Sequence, residues 1–105
     1  MGGARLKQER LAGKLLQVRL AFGLSQQDMH RRLDVEDIIP YNRISDYELG
    51  KRDPPLAVLL KYARAANVYV DALIDDELDL PDQLPSLMKH EGVKRNLTSR
   101  RRAKQ

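Results

Sequence analysis

Apolar residues recur at helical spacing along the first two thirds of the chain. Between residues 6 and 22 they are separated by four, three and four positions, and they are Leu11, Leu15, Val18 and Phe22. This spacing places them on one face of an α-helix, with lysine and arginine on the other face. The pattern therefore predicts a first amphipathic helix that ends at Gly23, a residue type that commonly caps helix C-termini.

Capping residues and prolines predict four further helices. Ser25 followed by Asp28 is typical of a capped helix start, and this second helix would run from about Gln26 to Leu33. Pro40 suits the first turn of a third helix ending at Gly50, because its missing N–H would be unpaired there anyway. The turn RDPP then separates the third helix from a fourth and a short fifth helix. The apolar residues that define these last two helices are Leu56, Leu59, Leu60 and Ala63, then Val70, Leu73 and Ile74.

The predicted fold is all-α, because the sequence shows neither strand-like alternation nor an Asn-Gly or Asp-Gly hairpin signal. Residues 1–80 are expected to form one domain, and residues 81–105 to form a linker and a basic tail, expected to be flexible. The 105 residues include no cysteine, so the small core would depend on helix packing without disulfides. No apolar run is long enough for a membrane span or a signal peptide, and we expect a cytoplasmic protein.

The charge is divided into blocks. The net charge is +4, with twelve basic and eight acidic residues in 1–64, six acidic and no basic residues in 65–82, and seven basic and one acidic residue in 83–105. Such a balance favours a polyanionic partner without proving one. The last block could contact DNA phosphates as a basic arm, fold back on the acidic block of the same or a second chain, or be a solvated tail.

The third predicted helix has two different faces. Successive residues of a helix are about 100° apart, so Ile44, Tyr47 and Glu48 fall in one sector and should face the core. The opposite sector contains short polar side chains, centred on Asn42 and Asp46. A purely structural surface helix would more often have Lys, Glu or Ala there, because these are better helix formers. The pattern favours a recognition surface, although a solvated face could carry the same residues.

Three successive motifs resemble the Cro and phage-repressor type of helix-turn-helix, also called the xenobiotic response element family. They are GLSQQDM, NRISDYELGKRDPP and LLKYARAANVYVDAL, and the resemblance covers roughly residues 15–78. It implies a five-helix, lambda-repressor-like DNA-binding domain whose third helix enters the major groove of double-stranded DNA. The expected function is sequence-specific transcriptional regulation, most simply repression, by a homodimer on paired half-sites.

The resemblance also implies a role for individual residues. The second helix would contact phosphates at its start, the third would read bases, and the residues after it would hold phosphates. The DNA-binding residues implied are Gln26 and Gln27, then Tyr41, Asn42, Arg43, Ser45 and Asp46, then Lys51 and Arg52. Arg19 and Glu48 correspond to an internal ion pair between the first and third helices, which orients the helices more than it stabilises them.

Two of these roles have alternatives, and one segment departs from the family pattern. Arg43 could contact guanine or a phosphate, and Asp46 could accept a hydrogen bond from cytosine or pair locally with Arg43. The connection DVEDIIPY is about four residues longer than the family's usual turn. Two of its acidic residues, Glu36 and Asp37, are expected to point away from DNA, since they would repel phosphates.

Other function classes receive less support from the sequence. His30 and His90 have no second ligand at helical spacing, so neither a metal nor another cofactor is expected. No acid, base and nucleophile fall in one predicted cleft, so we do not expect an enzyme. The main alternative is a protein-binding module of the same fold, either an antitoxin or a bridging adaptor, that contacts a protein partner through its C-terminal segment.

Overall fold

The computed structural model describes residues 8–89 and 93–94. Within these residues it contains five helices and two very short strands. They are α1 (Leu11–Phe22), α2 (Gln26–Arg32), α3 (Asn42–Glu48), α4 (Leu56–Ala66), α5 (Val70–Ile74), β1 (Leu78–Asp79) and β2 (Val93–Lys94). The all-α, five-helix prediction is confirmed. The antiparallel pairing of β1 with β2 was not predicted, because two residues are too few to show alternation. No helix in the described ranges is long and apolar enough to cross a membrane.

The hydrophobic core lies among α1, α3, α4 and α5, with α2 packed against α3. The spaced apolar residues of α1 occupy it: Leu15 and Val18 are fully buried, and Phe22 packs at its edge. Tyr62 of α4 and Leu73 of α5 are also fully buried. Burying a side chain of this size stabilises a fold by about 1.5–3 kcal/mol, so a core of such residues can hold a domain without disulfides.

The ends of α1 and α2 follow the predicted caps. Gly23 adopts the left-handed conformation with φ of 68°, which costs glycine little and allows the chain to leave α1 sharply. Ser25 is the N-cap of α2, and its hydroxyl accepts the backbone N–H of Asp28 at 3.1 Å. These two caps place α2 directly after α1 with a connection of only three residues, 23–25.

The start of α3 differs from the prediction. Pro40 does not lie in the first helical turn, because α3 begins at Asn42 with Tyr41 as its N-cap. The N–H of Arg43 donates to the Pro40 carbonyl, and that of Ile44 donates to the Tyr41 carbonyl. Each of these bonds spans three residues where an α-helix spans four, so the chain makes a tighter turn before α3 starts.

The long connection between α2 and α3 is anchored to the rest of the domain. It spans residues 33–41, and Val35 and Ile39 within it are buried in the core. The Nε2 atom of the buried His30 lies 2.6 Å from the Ile39 carbonyl oxygen. Since a carbonyl oxygen can only accept, Nε2 carries the proton and donates it to this bond. The extra length therefore forms a fixed corner that sets where α3 begins.

The N-terminal end of α1 and the C-terminal end of α5 cap each other. The carboxylate of Asp76 accepts the N–H groups of Glu9 and Arg10, which lowers its pKa. In return, Nζ of Lys14 donates to the carbonyls of Ala72 and Asp75, both at 2.8 Å. These bonds satisfy backbone groups that a helix end leaves unpaired, and positive charge at the C-terminus of a helix is favourable.

The burial of Lys14 predicts a pH dependence of stability. Burial, and next the nearby Arg10, lower the pKa of Lys14 from 10.5 to about 8. Between these values the unfolded chain binds more protons than the folded one, so stability should rise with pH through this window. Urea denaturation should show a free energy of unfolding higher by about 1 kcal/mol at pH 9 than at pH 7.5. The Lys14→Met variant should lack this rise; the same rise in both proteins would contradict the assignment.

Ser86, in the segment that we predicted to be a linker, binds to the end of α4. The N–H of Ser86 donates to the carbonyl of Ala66 at 2.9 Å, and the Asn67 amide donates to the Ser86 carbonyl at 2.7 Å. The apolar side chains of Leu87 and Met88 remain exposed beside this anchor. The basic block beyond residue 94, for which we expected flexibility, lies outside the described residues, as does His90.

Candidate nucleic-acid interface

The two faces of α3 have the orientation that the helical wheel predicts. Ile44 and Tyr47 are buried, and the Glu48 side chain is only 4% exposed. On the opposite face Asn42, the first residue of the helix, is exposed, and so is Tyr41 just before it. Ser45, Arg43 and Asp46 are half-buried at the flanks and C-terminal part of this outward face. The helix is thus fixed to the domain on one side and presents polar groups on the other.

An ion pair with an additional hydrogen bond joins α1, α2 and α3. The Glu48 carboxylate accepts two hydrogen bonds from Arg19, at 2.7 Å and 3.0 Å, in a bidentate contact. It also accepts a hydrogen bond from the Gln26 amide at 3.0 Å. Arg19 further donates to the Leu24 carbonyl in the connection before α2. One carboxylate on α3 therefore contacts both the first turn of α2 and the last turn of α1.

Gln26 has a second role besides the one that the resemblance implied. Its amide NH₂ has two donor hydrogens, and Glu48 accepts one of them. The second hydrogen is compatible with a phosphate contact at the start of α2. Gln27, next to it, is exposed. The residues implied for phosphate contact on α2 thus lie beside the helix implied for base contact, because Gln26 touches α3 directly.

A tight turn after α3 brings its two following basic residues back toward the helix. Gly50 has φ of 76°, and its N–H donates to the Tyr47 carbonyl. The N–H of Lys51 donates to the Asp46 carbonyl at 2.9 Å, which completes a Schellman motif. Lys51 and Arg52 are exposed just past the helix. The motif places two positive charges at the C-terminal end of α3.

The Asp46 carboxylate lies between two arginines. Its Oδ2 atom is 3.3 Å from Nη1 of Arg43 and 3.4 Å from Nε of Arg52. The local pairing that the sequence left open for Asp46 is therefore present, and a second arginine joins it. The side chains are partly exposed, at 25% for Asp46, 32% for Arg43 and 57% for Arg52. Glu36 and Asp37, two of the acidic residues of the connection, are exposed.

Sequence reasoning missed three contacts that shape this surface. They are the bond from His30 to the Ile39 carbonyl, the bond from Gln26 to Glu48, and the ion pair between Asp46 and Arg52. The contacts on Ile39 and Glu48 join separate elements, so no local spacing indicates them. The pair of Asp46 with Arg52 had one available signal, since a glycine just after a helix indicates a chain reversal.

The fold and this surface define a helix-turn-helix domain of the DNA-binding type. α2 packs against α3, and α3 projects a polar face flanked by basic residues. The model of the Helix-turn-helix family matches residues 15–73, more than half of the 105 residues, and the chain belongs to this family, in its Cro and phage-repressor type. No curated protein and no solved structure was found to match the chain. The chain is a DNA-binding helix-turn-helix regulator, and its family is not normally enzymatic.

Proposed function

We propose that the chain is a cytoplasmic transcriptional repressor that binds a short operator as a homodimer and reads its major groove with α3. The observation that carries this proposal is the division of α3 into two faces. Its inner face is fixed by Ile44, Tyr47 and Glu48, while Asn42 at its first position is exposed. In a helix-turn-helix the N-terminal residues of the recognition helix contact base edges, and the exposure of Asn42 at the start of α3 supports a role in base readout. A domain seated there would block other proteins from the same promoter.

The proposed contacts divide into base readout and phosphate binding. The Asn42 amide can accept from N6-H₂ through its oxygen and donate to N7 through its NH₂, which matches the donor and acceptor pattern that adenine presents in the major groove. Arg43 can donate two bonds to guanine, and Tyr41 and Ser45 flank these readers. Phosphates would be held by Gln26 and Gln27 on one side of α3 and by Lys51 and Arg52 on the other. Contacts on both sides fix the register of the helix in the groove without adding sequence information.

The proposal of a homodimer rests on specificity and on one exposed segment. A single recognition helix reads only a few base pairs, and paired half-sites multiply this specificity. Leu87 and Met88 are 82% and 69% exposed on a segment that Ser86 fixes to α4. Neighbouring apolar side chains that a fixed backbone holds in solvent are typical of a contact surface. We propose that they face the second copy, as part of a surface formed by α5 and the segment from Leu78 to Met88.

A salt titration of binding to random duplex DNA tests the proposed function. Affinity should fall steeply with salt, because each phosphate contact releases counterions from the duplex. Lys51→Ala should weaken binding to all sequences alike and lower the slope of log K against log salt by about one. Lys61→Ala, which removes the same charge from α4 outside the proposed interface, should leave the slope unchanged.

A chain without measurable affinity for duplex DNA at low salt would contradict the proposal. That result would favour the alternative of a protein-binding module with the same fold. Equal slopes for the wild type and Lys51→Ala, in a chain that does bind, would remove Lys51 from the interface while leaving DNA binding itself in place.

A further inference from the structure

One carboxylate at the C-terminal end of α3 contacts both arginines of the proposed interface. From this arrangement we infer that Asp46 is a positioning residue: it holds Arg43 in the orientation that contacts a G·C base pair and does not itself read a base. The inference rests on the proposed function, since it names how one contact of that interface gains its specificity. On this face of α3, Arg43 would contact the base and Asp46 would hold Arg43 in position.

The local backbone brings the three side chains together before any DNA is present. Arg43 and Asp46 are three residues apart on α3, a spacing at which helical side chains meet. The Schellman motif at Gly50 then folds the chain back, with the N–H groups of Lys51 and Arg52 directed at the Asp46 carbonyl. Arg52 therefore reaches the same Oδ2 atom that Arg43 contacts. The arrangement is encoded by the helix and its cap alone.

The energetics favour an orienting role over a stabilising one. Ion pairs between partly exposed side chains contribute little to folding stability, and these two pairs have distances of 3.3 Å and 3.4 Å. A carboxylate on this face would also repel phosphates, which is a cost for a DNA-binding surface. Restricting arginine rotamers before binding offsets that cost, because ordering a long side chain at an interface is unfavourable. Asp46 also screens the repulsion between Arg43 and Arg52.

The atoms used in the ion pair are compatible with base contact. Arg43 uses Nη1 for Asp46, and its Nε and Nη2 have no hydrogen-bond partner among the described residues. Two adjacent guanidinium N–H groups can donate to O6 and N7 of guanine. Asp46 would thus hold one edge of the guanidinium while the opposite edge faces the groove. Asp46 should therefore affect the base preference at the same base pair that Arg43 contacts.

A set of variants tests this inference on the operator that the wild-type chain selects from random DNA. The variants are Asp46→Asn, Arg43→Ala, their double mutant, and Glu36→Gln as a control that removes an exposed acid from the connection. Competition against operators changed one base pair at a time gives the base preference of each. Asp46→Asn should lower the preference at one G·C pair about three- to tenfold. This is a fraction of the discrimination that a bidentate arginine contact to guanine provides. Arg43→Ala should abolish the preference at that same pair.

The double mutant separates positioning from reading. If Asp46 acts through Arg43, the double mutant has the same preferences as Arg43→Ala, and Glu36→Gln keeps those of the wild type. Asp46→Asn should also keep the wild-type melting temperature, because its role is not structural. An effect of Asp46→Asn at a different base pair, or one that persists without Arg43, would show that Asp46 reads a base itself. Unchanged preferences would reduce the contacts to a solvated ion pair, and a wild type that selects no operator would refute the proposed function instead.

Discussion

Replacing Glu48 by alanine should lower the free energy of unfolding by about 3 kcal/mol, the loss expected when one partner of a largely buried ion pair is removed. The side chains of Arg19 and Glu48 are only 16% and 4% exposed, so Arg19 would keep its charge without its partner. The Gln26 amide would lose its acceptor as well. Thermal or urea denaturation measures the effect.

Two further variants distinguish the ion pair from a general effect of charge. Glu36→Gln removes an acid from an exposed position and should leave stability nearly unchanged. Replacing Arg19 and Glu48 together by methionine should cost less than Glu48→Ala alone, because no uncompensated charge is left buried. If Glu48→Ala melts at the temperature of the wild type, the pair does not orient α1 and α3 as the contacts indicate.

Asn42→Ala should weaken binding to the preferred operator by about 1–3 kcal/mol and relax the preference at one base position. Asn42 is exposed at the first position of α3, on the side opposite the buried Ile44 and Tyr47. Its loss removes contacts to a base edge while every phosphate contact remains. Affinity for random duplex and the salt slope should therefore stay nearly the same. Competition assays with operators changed one base pair at a time measure the preference.

Gln27→Ala is the matched control for Asn42→Ala, because it removes another exposed amide, one proposed to contact phosphate. It should weaken all duplexes about equally and leave the base preferences intact. If Asn42→Ala also lowers affinity equally for every operator, then α3 does not read bases through this residue. In that case the long connection from Leu33 to Tyr41 has turned the start of the helix away from the groove.

The sequence was sufficient to predict the helices because their signals are local. The spacing of Leu11, Leu15 and Val18 predicts which face of α1 is buried. Ser25 and Gly50 form hydrogen bonds within a few residues of the helix ends that they cap. The predicted start of α3 was wrong by two residues. Pro40 is compatible with a first helical turn, but the bonds from Arg43 to the Pro40 carbonyl and from Ile44 to the Tyr41 carbonyl form a tighter turn there.

Contacts between distant segments could not be predicted from the sequence in the same way. The bonds from Lys14 to the carbonyls of α5 join residues 58 and 61 positions apart, and Lys14 itself looks like a solvated residue on a polar helix face. The docking of Ser86 on the end of α4 is similar, since prolines and polar residues around it are equally typical of a linker. The outward face of α3 could be predicted because a helical wheel needs only local spacing.

Selection of DNA fragments from a random pool by the purified chain tests most directly whether α3 reads an operator. A single short motif should be enriched, present as two copies in inverted orientation if the chain binds as a homodimer, with half-site centres about one helical turn or a multiple of it apart. The Asn42→Ala chain should enrich the same motif with one degenerate position in each half-site. Enrichment of no motif above the input pool, by a chain that melts cooperatively, would contradict the proposal that α3 recognises a DNA sequence.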